Sequence, residues 1–169
     1  DTIDKADKDH LLRDVRMNAL ALYRSVNSRV FPYDFALVAD QYMKTVTEIQ
    51  TRLTPGTFNL NPVLDKIREL KKQAGALNSA IARAQGARKE TIYELNRLLM
   101  EISKILTSLY YTHAGRYDHD PAYTLPFLPA LQEAGKLAGL EPTSHEAGLI
   151  RTKMVREMNR VNHQLTGAI

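Results

Sequence analysis

The sequence predicts an all-α fold, a bundle of about five long helices with one long irregular loop before the last helix. Three observations predict it. Apolar residues recur every three or four positions over most of the chain, almost no segment alternates apolar and polar residues as a half-buried strand does, and Gly and Pro, 8 and 7 in 169 residues, are scarce.

The first periodic run places Leu11, Val15, Ala19, Leu22, Val26 and Val30 on one face, which is expected to be buried. "FPYD" ends it: Pro32 disfavours helical geometry at Phe31, and Asp34 can accept hydrogen bonds from the amides that open a second helix. That helix carries Phe35, Val38, Tyr42, Val46, Ile49 and Leu53 on one side and closes at "TPGTFNLNP". Asn61 followed by Pro62 predicts a capped start for the third helix. Val63, Ile67, Leu70, Ala74, Leu77, Ile81 and Ala84 then keep the 3.5-residue spacing of a packed helical seam.

Gly86 separates this helix from a fourth or kinks the two. In it Ile92, Leu95, Leu99, Ile102, Leu106 and Leu109 form the seam, and Leu98 and Ile105 widen it. An excursion of about thirty residues follows, a length that usually serves function or an interface. Thr143 and Glu146 stand in the relation of a capping box, so the last helix is expected to start there. Its inner face is Ala147, Ile150, Met154, Met158, Val161 and Leu165, with the methionines as core.

Composition narrows the chemistry. The length suits a single domain over 1–169, and 25% charged residues with 44% hydrophobic ones suit a globular core. The absence of cysteine removes disulfide scaffolds, thiolate zinc sites and iron–sulfur clusters. The net charge of +4 does not make a nucleic-acid partner, because the 23 Lys and Arg are interleaved with 19 Asp and Glu. No apolar run is long enough for a membrane segment.

The excursion opens with "YYTHAGRYDHDPAYTLPFLPALQ". His113, Asp118, His119 and Asp120 are metal-ligand types, but neighbours in an extended loop point in different directions, which disfavours a self-contained metal site. No Glu-x-x-His pair, phosphate loop, nucleophile elbow or His-Glu-x-x-His is present, so no catalytic residue and no cofactor is assigned to this chain.

In order, "DTIDKADKDHLLRDVRMNALALYRSVN", "FPYDFALVADQYMKTVTEI", "YYTHAGRYDHDPAYTLPFLPAL" and "IRTKMVREMNRVNHQL" resemble the transferrin-receptor-like dimerisation domain of bacterial relatives of glutamate carboxypeptidase II. The resemblance covers essentially the whole chain. It implies a C-terminal fragment of a zinc exopeptidase, glutamate carboxypeptidase-like or aminopeptidase-like. Its last zinc-ligand histidine would lie just before "DTIDK", so the zinc would belong to the parent's peptidase domain. The implied partners are that peptidase domain and a second copy of this domain in a homodimer. If the parent is exported, its signal lies upstream.

The resemblance also gives the excursion a role. In glutamate carboxypeptidase II the corresponding loop reaches the substrate cleft and supplies a Lys-Tyr pair that holds a C-terminal glutamate. The matching positions here, near His119 and Asp120, are not Lys-Tyr, and an aspartate repels a substrate carboxylate, which admits an aminopeptidase-like preference. Arg116, Tyr117, Asp118, His119 and Asp120 are therefore expected in the cleft wall. Leu125, Phe127 and Leu128 are expected at a short helix near the domain or dimer contact. The competing reading is a free-standing helical module, an adaptor or sensor, which explains the clean seams equally well.

Overall fold

A computed structural model describes residues 7–84, 86–113, 120 and 125–169, and among these the protein is helical with no strand. The elements are α1 (Lys8–Asn27), α2 (Phe35–Thr51), α3 (Asn61–Ala84), α4 (Lys89–Tyr111), the short α5 (Pro129–Gln132), a 3₁₀ helix (Glu133–Gly139) and α6 (His145–Ala168). The all-α bundle expected from periodicity is the architecture found. No helix among the described residues is long and apolar enough to cross a membrane.

Helices α2 and α3 pack as a pair, and α6 lies against both α3 and α4, closing the bundle. The core follows the seams. Phe35, Tyr42, Val46 and Ile49 of α2 meet Val63, Ile67 and Leu70 of α3, while Leu99, Leu106, Met154, Val161 and Leu165 fill the side formed by α4 and α6. Both methionines of α6 serve packing, Met154 fully buried and Met158 partly. Leu98 does not widen the α4 seam inward: it is 46% exposed, whereas Ile105 is partly buried against the core.

The first helix departs from expectation. Its periodicity does form a helix, capped by Asp7, whose Oδ1 accepts from the amides of Asp9 and His10. None of its residues is buried, and Leu11, Val15, Leu22 and Val26 are 56–74% exposed. Periodicity reports that a face is apolar and is silent about what covers it. Of the six positions expected on its inner face, only Val30 is buried, and it lies beyond the helix end.

Two helix starts are also displaced by a residue or more. Asn61 is itself the first residue of α3: Leu60 O accepts from the amides of Val63 and Leu64, and Asn59 Oδ1 caps the amide of Asn61 at 2.9 Å. For α6 the cap is Ser144, whose Oγ accepts from the Ala147 amide at 3.2 Å, and Thr143 instead donates to Glu141. With Ser144 as the cap, Glu146 is the second helical residue rather than the third, so the Thr143–Glu146 capping box does not form.

Candidate interaction site

The excursion after α4 is held at its base by aromatic rings. Tyr110 stacks on Tyr42 of α2 with centroids 4.8 Å apart and planes 5° from parallel. Phe127 also stacks on Tyr110, at 4.7 Å and 13°, and Tyr111 meets Tyr110 edge-on at 5.0 Å, so the end of α4 and the residue that leads into α5 lie ring to ring. Tyr111 meets Phe127 edge-on at 5.7 Å. Such contacts add about 0.5–1.5 kcal/mol each beyond the area they bury.

Polar bonds finish this base. The Leu128 amide donates to Tyr110 O at 2.9 Å, and the Gln132 side-chain amide donates to Phe127 O at 2.6 Å. Arg52, at the end of α2, donates to Gln132 Oε1 at 3.0 Å. The buried hydroxyl of Tyr42 donates to Leu106 O, and Tyr110 and Thr45 share a hydrogen bond of 3.1 Å. Burial, and then the neighbouring Tyr110 and Tyr111, push the Tyr42 hydroxyl far above its ordinary pKa, which keeps it a neutral donor.

Leu128 pays a conformational cost for its place. Its φ is +49°, the left-handed region that L residues avoid, yet its side chain is only 1% exposed. Burial of a leucine side chain, about 1.5–3 kcal/mol, exceeds the roughly 1–2 kcal/mol of that backbone conformation. The turn therefore keeps a leucine where glycine would be the unstrained choice.

The expected site residues fall in different places. Arg116, Tyr117, Asp118 and His119 lie outside the described residues. Asp120 is half-buried, and its Oδ1 accepts from the His113 amide at 3.0 Å, joining the two sides of the loop across seven positions. Leu128 packs into its own core, Leu125 is half-buried, and Phe127 keeps 51% of its surface exposed. Of these three contact candidates, Phe127 offers the most surface to another molecule. Among the described residues no three His, Asp or Glu side chains gather as a metal would need.

A second surface lies on α1. At 100° per residue, Leu11, Leu22, Val15, Val26, Leu12 and Tyr23 occupy an arc of about 120°, and the stripe runs for about 22 Å. All six are exposed. The segment after α1 is fixed to the bundle by Asn96 of α4, whose side chain accepts from the Phe31 amide and donates to Arg29 O, both at 2.9 Å. Arg29 also donates to Ala87 O at 3.2 Å, beside the turn between α3 and α4. Val30, between these anchors, is 2% exposed.

Sequence reasoning missed this clamp. Asn96 is one polar residue on a helix, and no periodicity marks a partner 65 positions away. The aromatic base left a fainter signal in the density of tyrosines around "YYTH". No family model matches the chain, and no curated protein or solved structure is significantly similar to it.

Proposed function

We propose that this chain is the C-terminal dimerisation domain of a zinc-dependent exopeptidase, and that it lends the loop after α4 to the substrate cleft of its parent. The observation that supports this reading best is the α1 stripe. A 20-residue helix with eight large apolar side chains in water is at odds with a self-sufficient bundle, since patches of that kind mark interaction surfaces. The width of the stripe matters too. An arc of about 120° suits a broad layer such as a sheet or a domain core, whereas a single partner helix covers the narrower seam of a coiled coil.

In this reading α1 lies against the parent's peptidase domain, and the bundle meets its copy about a two-fold axis, the commonest symmetry for such pairs. Phe127 and Tyr111, exposed at the loop base, are available to a neighbouring domain. The chain alone hydrolyses nothing, because the zinc and its ligands belong to the peptidase domain. The loop's aspartates disfavour a substrate carboxylate and leave the amino-terminal side of a peptide as the preferred end.

Cross-linking from α1 tests the proposal. A photoreactive phenylalanine analogue at Val15 of the gene product, expressed from its own gene in a mixture of isotope-labelled and unlabelled cells, is expected to link to residues of the same polypeptide outside the bundle. Links solely to unrelated proteins would contradict it and favour the free-standing adaptor.

A further inference from the structure

We propose that the cleft between α2 and α4 is a binding site for a guanidinium group, the side chain of an arginine presented by a neighbouring protein segment. The cleft has a volume of about 230 Å3, enough for one side chain. It lies beside the loop base and does not depend on the peptidase reading.

Rings form much of its wall. Tyr33 and Phe35, stacked at 5.6 Å and 26°, come from the segment entering α2, and Tyr42, Tyr110 and Tyr111 from α2 and the end of α4. Asp34 lines the same cleft. Its Oδ1 accepts from the amides of Ala36 and Leu37 at 3.0 and 3.3 Å and from Asn78 Nδ2 at 2.9 Å, and Oδ2 takes none of these bonds. The bond from Asn78 and those from the two amides outweigh a small desolvation and hold the carboxyl below its ordinary range, so it is ionised at neutral pH. Among the described residues no Lys, Arg or His forms an ion pair with it.

This combination selects a cation. The half-charge of a helix N-terminus, about +0.5, offsets only part of a full carboxylate charge, so the mouth of the cleft stays net negative. The exposed rings of Tyr33 and Tyr111 attract cations through their faces, while an apolar occupant would strip water from Asp34 with nothing in return. Guanidinium fits better than ammonium. It is planar, stacks on rings and sheds water more readily, and its five donors can use the oxygens of Gln41, Ser103 and Thr107, which also line the cleft.

The test is an NMR titration of the 169-residue chain carrying 13C-labelled tyrosine. The probes are N-acetyl-arginine amide and the citrulline analogue, which has nearly the same shape and no charge. Saturable shifts are expected at Tyr33 and Tyr111, the exposed tyrosines of the cleft, with the arginine probe bound at least about fivefold more tightly, as one cation–aromatic contact would give. Asp34→Asn keeps a capping oxygen for α2 and is expected to erase that preference. Tyr111→Ala, at a ring already 56% exposed, is expected to weaken arginine binding while leaving the core intact, which secures the test if Asp34→Asn lowers stability. Equal affinity for both probes, a preference that survives Asp34→Asn, or no saturable shift at all would overturn the proposal.

Discussion

Leu128 shows how a single residue can reverse an ordinary rule. In most of a fold Leu→Gly is worse than Leu→Ala, because glycine adds backbone entropy to the lost packing. At φ +49° alanine retains the strain and glycine does not. Leu128→Ala is therefore expected to cost about 2–4 kcal/mol and Leu128→Gly about 1 kcal/mol less, checked by urea denaturation of both variants. Glycine proving the more destabilising would mean that the left-handed turn is not retained in solution.

Glu133 makes a prediction about acid. Lys153 at 2.7 Å and Lys136 at 3.3 Å bridge it, and the bond from Lys153 chiefly holds its carboxyl below the ordinary range. A carboxyl whose folded pKa is depressed stabilises above its unfolded value, and that contribution is lost as pH falls through the folded value. The gap in melting temperature between the native chain and Glu133→Gln is thus expected to be widest above the ordinary glutamate range and to close as the pH falls below it. A gap independent of pH would contradict the ion-pair account.

Helix ends depend on a single side chain, and the displaced start of α6 gives a clear contrast. Ser144→Ala is expected to cost about 1 kcal/mol and Thr143→Ala less than about 0.5 kcal/mol, measured by thermal unfolding. The capping-box reading of the sequence predicts the reverse order. The difference arises because Thr, Ser and an acid within four positions satisfy either register, and only the backbone entering the helix chooses between them.

The seams themselves were legible. Tyr42, Ile49, Ile67, Leu99, Met154 and Leu165 are core because each repeats at helical spacing with its neighbours, and burial follows from spacing once a partner helix exists. For α1 no partner exists within the described residues, so the same signal led to the wrong environment. Replacing Leu11, Val15, Leu22 and Val26 together by glutamine is expected to leave the bundle's melting temperature nearly unchanged, since no residue of α1 is buried against the bundle. A large drop would mean that α1 folds back onto the bundle in solution.

At the scale of the molecule, the candidate site was only partly legible. The long excursion stood out by its length and its Pro, His and Tyr content, and the short helix after it was expected from "TLPFLPALQ". The Tyr42–Tyr110–Phe127 stack that fixes its base, and the Asn96 clamp that fixes the segment after α1, join residues 65 or more positions apart or across the loop, and local pattern carries no record of such pairings. The bundle thus presents an aromatic loop base at the end of α4, and a helix exposed among the described residues and tied to α4 through Asn96.

In the proposed assembly α1 is covered by a zinc peptidase domain of the same polypeptide. Sequencing the gene immediately upstream of the codon for Asp1 tests it most directly. The expected result is an open frame with a histidine a few residues before Asp1, preceded by His, Asp and Glu residues suited to two zinc ions. An initiator methionine at that point, with no such residues, would contradict it and leave a free-standing bundle whose exposed helix serves another partner.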